Sequence, residues 1–484
     1  MTGDAREIAA QIRGRERSAA DVVGEAIRRI EALDPALNAV VHPRFEKALD
    51  EASALERALA RDLGRGDDPS APLAGVPILL KDASITQAGE PWHEGLEAAK
   101  RACHVARTTS FLTQRLIDAG CIVLGRTNVP ELCTYPTTEP VAYGPTRNPW
   151  HLDYSAGGSS GGSGAAVAAG MVPIAHGSDG GGSVRVPASL CGVVGLKPTR
   201  GRFSAGPEHG EHWGGISTDG FLARTVGDLA AVFDAVAGPH ASDPVQTPLE
   251  RPVSAMLASP MRRLRIGLRT RGACGGDPAH PVVDAITRET ARRLEAAGHV
   301  VEEASPGALE EEEGVAQQGT VVAACLAAEL AAWSRRIGRE IALDELEPRN
   351  RMSVAGGRAV TGLQFVEARE GLFAWSRRLV AWFDDYDLLL TPVLTQPAIR
   401  IGELPLDPTA AELDAMRRRL GWLPGPWNVT GQPAISVPAG RTPEGLPVGI
   451  QLVAAWGRED LLLRVAAWLE AAQPWPHWSG STRA

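Results

Sequence analysis

The sequence has 484 residues, 44% of them hydrophobic, which is enough apolar material for one large or two ordinary globular domains. A formal net charge of −9, with no long run of Lys and Arg, gives no indication of a nucleic-acid partner. Charged residues interrupt the N-terminus where a signal peptide would be apolar, and the most apolar stretches, 165–175 and 446–455, are shorter than the roughly 20 residues of a membrane helix. We therefore expect a cytoplasmic protein that binds neither membrane nor nucleic acid.

The N-terminal region has helical spacing, and we expect a helical lead-in over about residues 1–60. Apolar residues recur at helical intervals between positions 5 and 33, and Ser18 with Asp21 resembles a capping box. Pro35 is expected to lie beyond the end of this helix. Residues 61–75 are polar and rich in turn-forming residues, which predicts a loop.

Lys81 follows a short apolar run that is typical of a buried strand, Val76–Leu80. Four lysines stand against 45 arginines in the chain, so lysine is rare in it. Arginine stays protonated in proteins, whereas burial readily lowers the pKa of a lysine, which makes Lys81 a candidate base. A salt bridge with Asp82 or another acid is the alternative, and position alone does not separate the two.

Strands and helices alternate along the rest of the chain. This order predicts an α/β protein with a large mixed sheet, organised as one domain over residues 1–484. A helical region over about residues 310–383 has few strand signals and is a candidate insertion over the site. The expected strands are 121–124, 172–175, 263–268, 299–303, 388–391, 434–438 and 448–453, and the expected helices are 106–119, 281–297, 315–338, 362–383 and 459–472.

A Gly- and Ser-rich segment over residues 157–183 is the strongest candidate for a functional site. Ten glycines fall between positions 157 and 182. Glycine permits positive φ angles and close approach of the backbone, so successive N–H groups can converge on one anionic oxygen. The segment therefore predicts an oxyanion hole.

Three other interpretations fit this segment less well. A flexible linker would lack the apolar stretches 165–169 and 172–175. A phosphate-binding loop would need the G-x-x-x-x-G-K-[ST] pattern, whereas Lys197 stands in Gly-Leu-Lys-Pro. A nucleophile elbow, with Ser160 as the nucleophile of an α/β-hydrolase esterase, matches Gly158–Gly162, but residues 148–154 before it are polar rather than strand-like.

Several segments also resemble a known family. Gly157–Ser163 and Gly177–Thr199 match the long motif of the amidase signature family of serine hydrolases, and shorter matches cover nearly the whole chain, at 75–82, 125–131 and 428–438. The resemblance implies a single-domain α/β/α sandwich around a large mixed sheet. Residues 138–150 and 453–460 look most like the branch of 6-aminohexanoate-cyclic-dimer hydrolases.

The resemblance implies a Ser-cisSer-Lys triad. Ser183 would be the nucleophile, Ser159 the proton relay that follows a cis peptide bond, and Lys81 the base that accepts the proton. Further expected site residues are the oxyanion-hole residues Gly180, Gly181, Gly182 and Ser183, the supporting residues Ser160, Asp179 and Arg185, and the substrate-binding residues Trp427 and Asn428. Gly180 occupies a position that varies in the family, and we expect it to make the loop more permissive.

The expected activity is hydrolysis of the C–N bond of a small, uncharged carboxamide, which is linear, cyclic or aryl, through a Ser acyl-enzyme. A glutaminase subunit of a tRNA amidotransferase is the alternative, although residues 203–213 do not resemble the continuation of that subunit. We expect no cofactor. Residues 208–212 (Glu-His-Gly-Glu-His) could ligate a metal, but they lack the helical H-E-x-x-H spacing, so we expect no metal either. The predicted partner is a small-molecule amide, and a homodimer is left open.

Overall fold

The structure, a computed structural model, describes residues 3–65, 71–249 and 251–480. The helices are α1 Ala5–Arg13, α2 Ala19–Leu37, α3 Phe45–Arg65, α4 Glu97–Arg101, α5 Phe111–Asp118, α6 Gly161–Ala168, α7 Arg185–Cys191, α8 Val226–Val236, α9 Pro281–Ala296, α10 Glu312–Ile337, α11 Pro348–Ala359, α12 Gly362–Ala381, α13 Ala410–Leu420, α14 Pro426–Thr430 and α15 Glu459–Ala472. The strands are β1 Val40–Pro43, β2 Pro77–Lys81, β3 Ile122–Thr127, β4 Arg147–Asn148, β5 His151–Ser155, β6 Ile174–Asp179, β7 Val194–Lys197, β8 Thr218–Ala223, β9 Arg265–Leu268, β10 Val300–Glu303, β11 Leu388–Pro392, β12 Ala434–Arg441 and β13 Pro447–Ala454.

Eleven of the strands in the described residues form one mixed sheet, in the order β1-β3-β2-β6-β8-β7-β12-β13-β11-β9-β10. Strand β2 is parallel to both β3 and β6, and β9 is parallel to both β10 and β11. The other pairs are antiparallel. The prediction of an α/β fold on a large mixed sheet is confirmed.

The N-terminal region differs from the prediction in three details. Ser18 does cap α2, since its side chain accepts a hydrogen bond from the Asp21 N–H, but Pro35 lies inside the helix. The φ angle of proline is helical, so the helix loses one N–H bond there and continues to Leu37. The predicted loop at 61–75 is wrong up to Arg65, where α3 ends, and residues 66–70 lie outside the described ranges.

Strands β2 and β6, the third and fourth strands of the sheet, place the carboxyl ends of two buried parallel strands side by side. All residues of both strands are buried. Helix α6, which precedes β6, is made of Gly, Ala, Ser and Val and is buried along its whole length. Burial of this kind does not fit a flexible linker. Because parallel neighbours end at the same edge of a sheet, residues that follow β2 and β6 meet there.

The region 310–383 forms helices α10, α11 and α12. Within the described residues, α10 is the one helix whose length and mean hydropathy would suffice for a membrane span, whereas no apolar stretch of that length was expected from the sequence. It packs against α11 and α12, and it buries Leu326, Leu330 and Trp333. Residues of α10 also line the cavities described below.

Candidate active site

Lys81 is the last residue of β2 and is completely buried. Its Nζ lies 2.7 Å from Ser159 Oγ, 2.9 Å from Ser178 Oγ and 3.3 Å from the Ser178 carbonyl oxygen. Burial lowers the pKa of Lys81 below its ordinary value, because desolvation disfavours the charged form. The site therefore favours a neutral lysine that can accept a proton.

The alternative of a salt bridge between Lys81 and Asp82 is wrong. Asp82 instead lies 3.6 Å from His42 and 4.0 Å from Arg126. Burial alone would raise the pKa of Asp82, but His42 and Arg126 lower it, so this carboxylate already has its charge partners. The Arg126 guanidinium also donates to the Lys81 carbonyl oxygen at 3.1 Å, which fixes the end of β2.

Ser159 follows a cis peptide bond from Gly158, as the resemblance implies. The side chain of Ser159 is 1% exposed, and its hydroxyl lies between Lys81 and the cavity that Ser159 lines. The neighbouring Ser160 is fully buried, and its Oγ donates to the Ser178 carbonyl oxygen at 3.3 Å. Its N–H donates to the Ser183 carbonyl oxygen at 3.1 Å. Ser160 thus supports the site from behind, which does not fit a nucleophile elbow.

Ser183 lies in the short loop that joins β6 to α7. Of the three expected catalytic residues, Lys81 and Ser159 are buried and Ser183 is half-buried. Ser183 lines the same cavity as Ser159. Its side chain makes no hydrogen bond within the described part of the chain. The structure thus brings Lys81, Ser159 and Ser183 to the carboxyl ends of the parallel strands β2 and β6.

The loop before Ser183 offers fewer free N–H groups than the sequence predicted. The Gly182 N–H donates to Asp179 Oδ1 at 2.8 Å, so the prediction of Gly182 as an oxyanion donor is wrong. Gly182 has a φ of +121°, and a Cβ there would lie 2.8 Å from Pro424, so glycine is required for conformation and space. The remaining candidate donors are the N–H groups of Gly180, Gly181 and Ser183.

Gly180 does not make the loop more permissive, contrary to prediction. A Cβ at this position would lie 2.7 Å from the ring of Trp213, which is closer than two carbon atoms that are not bonded to each other come in proteins. The missing side chain at Gly180 therefore lets Trp213 pack directly on the loop of residues 180–183, which is called the oxyanion loop here after its predicted role.

A buried ion pair holds the same loop. Arg185 Nη2 lies 2.7 Å from Asp179 Oδ1 and 2.7 Å from Asn428 Oδ1, and Arg185 Nη1 lies 2.6 Å from Gln451 Oε1. Asn428 also donates to Asp179 Oδ1 at 2.9 Å. Burial alone would raise the pKa of Asp179, but Arg185 and Asn428 lower it far below its ordinary range. The supporting roles expected for Asp179 and Arg185 fit this geometry.

The prediction that Trp427 and Asn428 bind substrate is wrong. Each is 1% exposed, and neither lines a cavity next to Ser183. Trp427 packs edge-on against Phe383 at 5.8 Å, and Asn428 is occupied by the ion pair. The tryptophans that do reach the site are Trp213 and Trp422, whose loops carry no periodic pattern from which sequence could place them.

Two cavities meet at Ser183. The first, of about 390 Å³, is called the acidic pocket here and contains Ser159, Ser178 and a set of ionisable residues: Glu94, Glu208, His209, Glu211, Glu329 and Arg336. The second, of about 320 Å³, is called the apolar pocket and contains the oxyanion loop with Tyr135, Val186, Val322, Leu394, Leu420 and Trp422. Cys133 and Trp213 line both cavities.

His209 and His212 face each other in the acidic pocket, with ring centroids 4.1 Å apart. Burial lowers the pKa of both, that of His212 to about 3, so both rings are neutral at neutral pH. In the described ranges, no three His, Cys, Asp or Glu side chains are grouped so that they could hold a metal ion.

The chain is similar to known amide hydrolases over nearly its whole length. Residues 21–463 match the family model described as Amidase. The 6-aminohexanoate-cyclic-dimer hydrolase of Paenarthrobacter ureafaciens is 39% identical over 485 residues, which cover 98% of this chain and 95% of that protein. The solved structure of 6-aminohexanoate cyclic dimer hydrolase complexed with substrate has a TM-score of 0.91 at 38% identity, covering 98% and 97% of the two chains. A bacterial aryl acylamidase of the amidase signature family has a TM-score of 0.88 at 28% identity, with the same coverage.

Proposed function

The chain belongs to the amidase signature family and is an amide hydrolase acting on carbon–nitrogen bonds other than peptide bonds, and we propose that Ser183, Ser159 and Lys81 perform this reaction. One observation carries the assignment: the completely buried Lys81 Nζ lies 2.7 Å from Ser159 Oγ. A lysine whose pKa is lowered by burial can act as a general base, whereas arginine cannot.

Ser178 orients the lone pair of the neutral lysine. A neutral amine has two N–H donors and one lone pair, and both the hydroxyl and the carbonyl oxygen of Ser178 are acceptors within reach of Lys81. When the two N–H groups point to Ser178, the lone pair points to the hydroxyl proton of Ser159. Ser178 is therefore a positioning residue, and the sequence motif alone did not predict this role.

Acylation then follows from this arrangement. The Ser183 oxygen attacks the amide carbon while its proton passes to Ser159 Oγ, and the Ser159 proton passes to Lys81. Collapse of the tetrahedral intermediate breaks the C–N bond, and the leaving nitrogen takes a proton from Ser159, which is replenished by Lys81. A water molecule repeats the sequence on the ester and releases the carboxylic acid, with Ser183 restored.

The N–H groups of Gly180, Gly181 and Ser183 are the proposed donors to the tetrahedral oxyanion. Donors that are already in place before the reaction need no reorganisation, and losing one typically costs 100-fold or more in rate. The ion pair between Asp179 and Arg185 supports the proposal, because it fixes the backbone on which these donors lie.

We propose a small carboxamide substrate, linear, cyclic or aryl, with an uncharged acyl part. The similar proteins act on a cyclic dimer and, by name, on aryl acylamides. The apolar pocket beside the oxyanion loop suits such an acyl part, whereas the acyl part of glutamine ends in a charged amino-acid group. This favours a stand-alone amidase over a glutaminase subunit.

The six cysteines are free thiols, which supports a reduced, cytoplasmic location. That the protein forms a homodimer stays a prediction.

The test compares Ser183→Ala with Ser160→Ala on a panel of neutral linear, cyclic and aryl amides. Ser183→Ala should lower turnover by at least about 1,000-fold without loss of folded structure, because only the nucleophilic oxygen is removed. Ser160→Ala loses a supporting hydrogen bond and should retain far more activity. An active Ser183→Ala enzyme together with an inactive, folded Ser160→Ala enzyme would refute the assignment.

A further inference from the structure

The two pockets share four residues, Gly180 and Ser183 among them, and differ in the rest of their walls. The apolar pocket contains Gly180, Gly181, Gly182 and Ser183, so the oxyanion loop forms part of its wall. The acidic pocket contains Ser159 and Ser178, which the apolar pocket does not. A substrate bound at Ser183 can therefore extend into both.

The route of the proton decides which half of the amide enters which pocket. Under the proposed function, the leaving nitrogen takes its proton from Ser159, so it must lie on the Ser159 side of the carbonyl carbon. That side opens into the acidic pocket. The acyl group then points into the apolar pocket, along the oxyanion loop.

Glu94 is an incompletely paired carboxyl group in the wall of the acidic pocket. Its residue is 8% exposed, and its Oε2 accepts a hydrogen bond from Trp333 Nε1 at 2.9 Å. Its second oxygen has no hydrogen-bond partner within the described ranges. Burial raises the pKa of Glu94 to about 7, and the nearby Glu329 adds to this effect. A cation next to the free oxygen would favour the ionised carboxylate and supply the missing partner.

The other charges around the acidic pocket leave it negative. Four carboxyl groups and two guanidinium groups line it. Arg336 is occupied, since it lies 2.8 Å from Glu329 and 3.9 Å from Glu208, and it stacks on the ring of Trp333. Arg335 is exposed at the rim. An anionic ligand would find no buried guanidinium without a partner here, whereas a cation would find an unpaired carboxylate oxygen.

We propose, on the basis of the proposed function, that the acidic pocket binds the amine half of the amide and selects amines that carry a positive charge near the scissile nitrogen, with Glu94 as the selecting residue. The substrate class is thus an amide with an apolar acyl group and an amine part that bears a second, ammonium group. The amine half of the substrate would thus carry a charge, contrary to the expectation of an uncharged substrate, whereas the acyl half stays uncharged as expected.

Two pairs of amides of matched shape test the proposal: N-(3-aminopropyl)benzamide with N-butylbenzamide, and the corresponding pair of hexanamides. Within each pair an ammonium group replaces a methyl group. We expect the wild-type enzyme to hydrolyse the ammonium member with a kcat/KM about tenfold higher, the value of one charged hydrogen bond. Glu94→Gln should remove most of that ratio, because glutamine keeps an acceptor for Trp333 but has no charge.

Glu97→Gln is the matched control, since Glu97 lies three residues further on and pairs on the surface with Arg101. This variant should keep the wild-type ratio. Glu329→Gln is a second variant: it removes one negative charge from the pocket and releases Arg336, which would then repel an ammonium group, so the ratio should fall even if Glu94→Gln does not fold. Equal kcat/KM within both pairs in the wild type, or a ratio that folded Glu94→Gln leaves unchanged, would overturn the proposal. Hydrolysis of other amides but of neither pair would also overturn it, whereas hydrolysis of no amide at all would instead contradict the proposed function.

Discussion

At the scale of single residues, the proposed mechanism requires Lys81 to be neutral. Its three hydrogen-bonding partners are two hydroxyl groups and a carbonyl group, all neutral. A charged ammonium group would be poorly stabilised in such surroundings, which is why burial lowers the pKa of Lys81. The same surroundings would stabilise a neutral amine.

Lys81→Arg should therefore lower turnover by at least about 1,000-fold, because arginine keeps the positive charge but cannot accept a proton. Lys47→Arg is a matched control, since Lys47 is exposed and pairs with Glu90, an interaction that arginine can replace. Steady-state rates and circular dichroism of both variants check this. A folded Lys81→Arg enzyme with substantial activity would leave Ser183 in need of another proton acceptor.

The pH dependence of the wild-type rate follows from the same group. Protonated Lys81 is inactive as a base, so the rate should rise with pH through a single ionisation. Because burial lowers the pKa of Lys81, the midpoint should lie below the ~10.4 of a free lysine. A rate that falls over this range would contradict a lysine base.

The residues of the proposed triad could be located from sequence, but the hydrogen bonds of their neighbours could not. The motif indicates Lys81, Ser159 and Ser183; Lys81 contacts Ser159, and Ser159 and Ser183 line one cavity. Gly182 belongs to the same motif, yet its N–H is taken up by Asp179. Asn428 lies about 250 positions away in the sequence, and only the fold places it on that carboxylate. Hydrogen-bond partners of this kind depend on tertiary geometry, which periodicity and motif spacing do not contain.

At the scale of elements, the loop between β6 and α7 is fixed from two sides. The ion pair of Asp179 and Arg185 holds it from within, and Trp213 packs on Gly180 from the cavity. A change on either side should shift the backbone N–H groups that the proposed mechanism needs. The loop is therefore sensitive to small changes in volume.

Gly180→Ala should lower kcat by about 100-fold, since the added methyl group would overlap the Trp213 ring and displace the loop, and small misplacements cost that much. Gly181→Ala is the comparison, because a Cβ at Gly181 would meet no atom within 4 Å. We expect Gly181→Ala to be at least tenfold more active than Gly180→Ala. Steady-state kinetics of both variants test this expectation. An equal loss of kcat in the two variants would mean that the contact between Gly180 and Trp213 is unimportant for turnover.

Long, regular elements could be predicted from sequence, and short polar ones could not. Helix α15 and strands β11 to β13 lie close to their predicted positions. Strand β6 extends through His176, Gly177, Ser178 and Asp179, which do not look like a buried strand. These polar residues are tolerated because partners elsewhere satisfy them, as when Asp219 on β8 pairs with His176 at 3.1 Å.

At the scale of the whole molecule, the sheet places strands from distant parts of the chain side by side. Strands β12 and β13, from the last sixty residues or so, lie between β7 and β11 at the middle of the strand order. Lys81, Ser159 and Ser183 all lie in the first half of the chain. Asn428 and Gln451, which hold Arg185, come from the second half.

Neither half should therefore be active alone. We expect residues 1–259, expressed without the rest, to lack both amidase activity and a native circular-dichroism spectrum, because β7 would lose its partner β12 and Arg185 would be buried without Asn428 and Gln451. Co-expression with residues 260–484 should restore measurable activity. An active N-terminal half would show that the sheet order does not limit function.

The contact of Arg185 with Gln451 also determines when, during synthesis of the chain, the site can be completed. A growing polypeptide contains the proposed base, relay and nucleophile once Ser183 has been synthesised, but Gln451 emerges from the ribosome some 270 residues later. Until then the loop that bears the nucleophile lacks part of its support. We expect catalytic competence to be among the last properties that a nascent chain acquires, so that an incomplete translation product carries the reactive serine in an idle form.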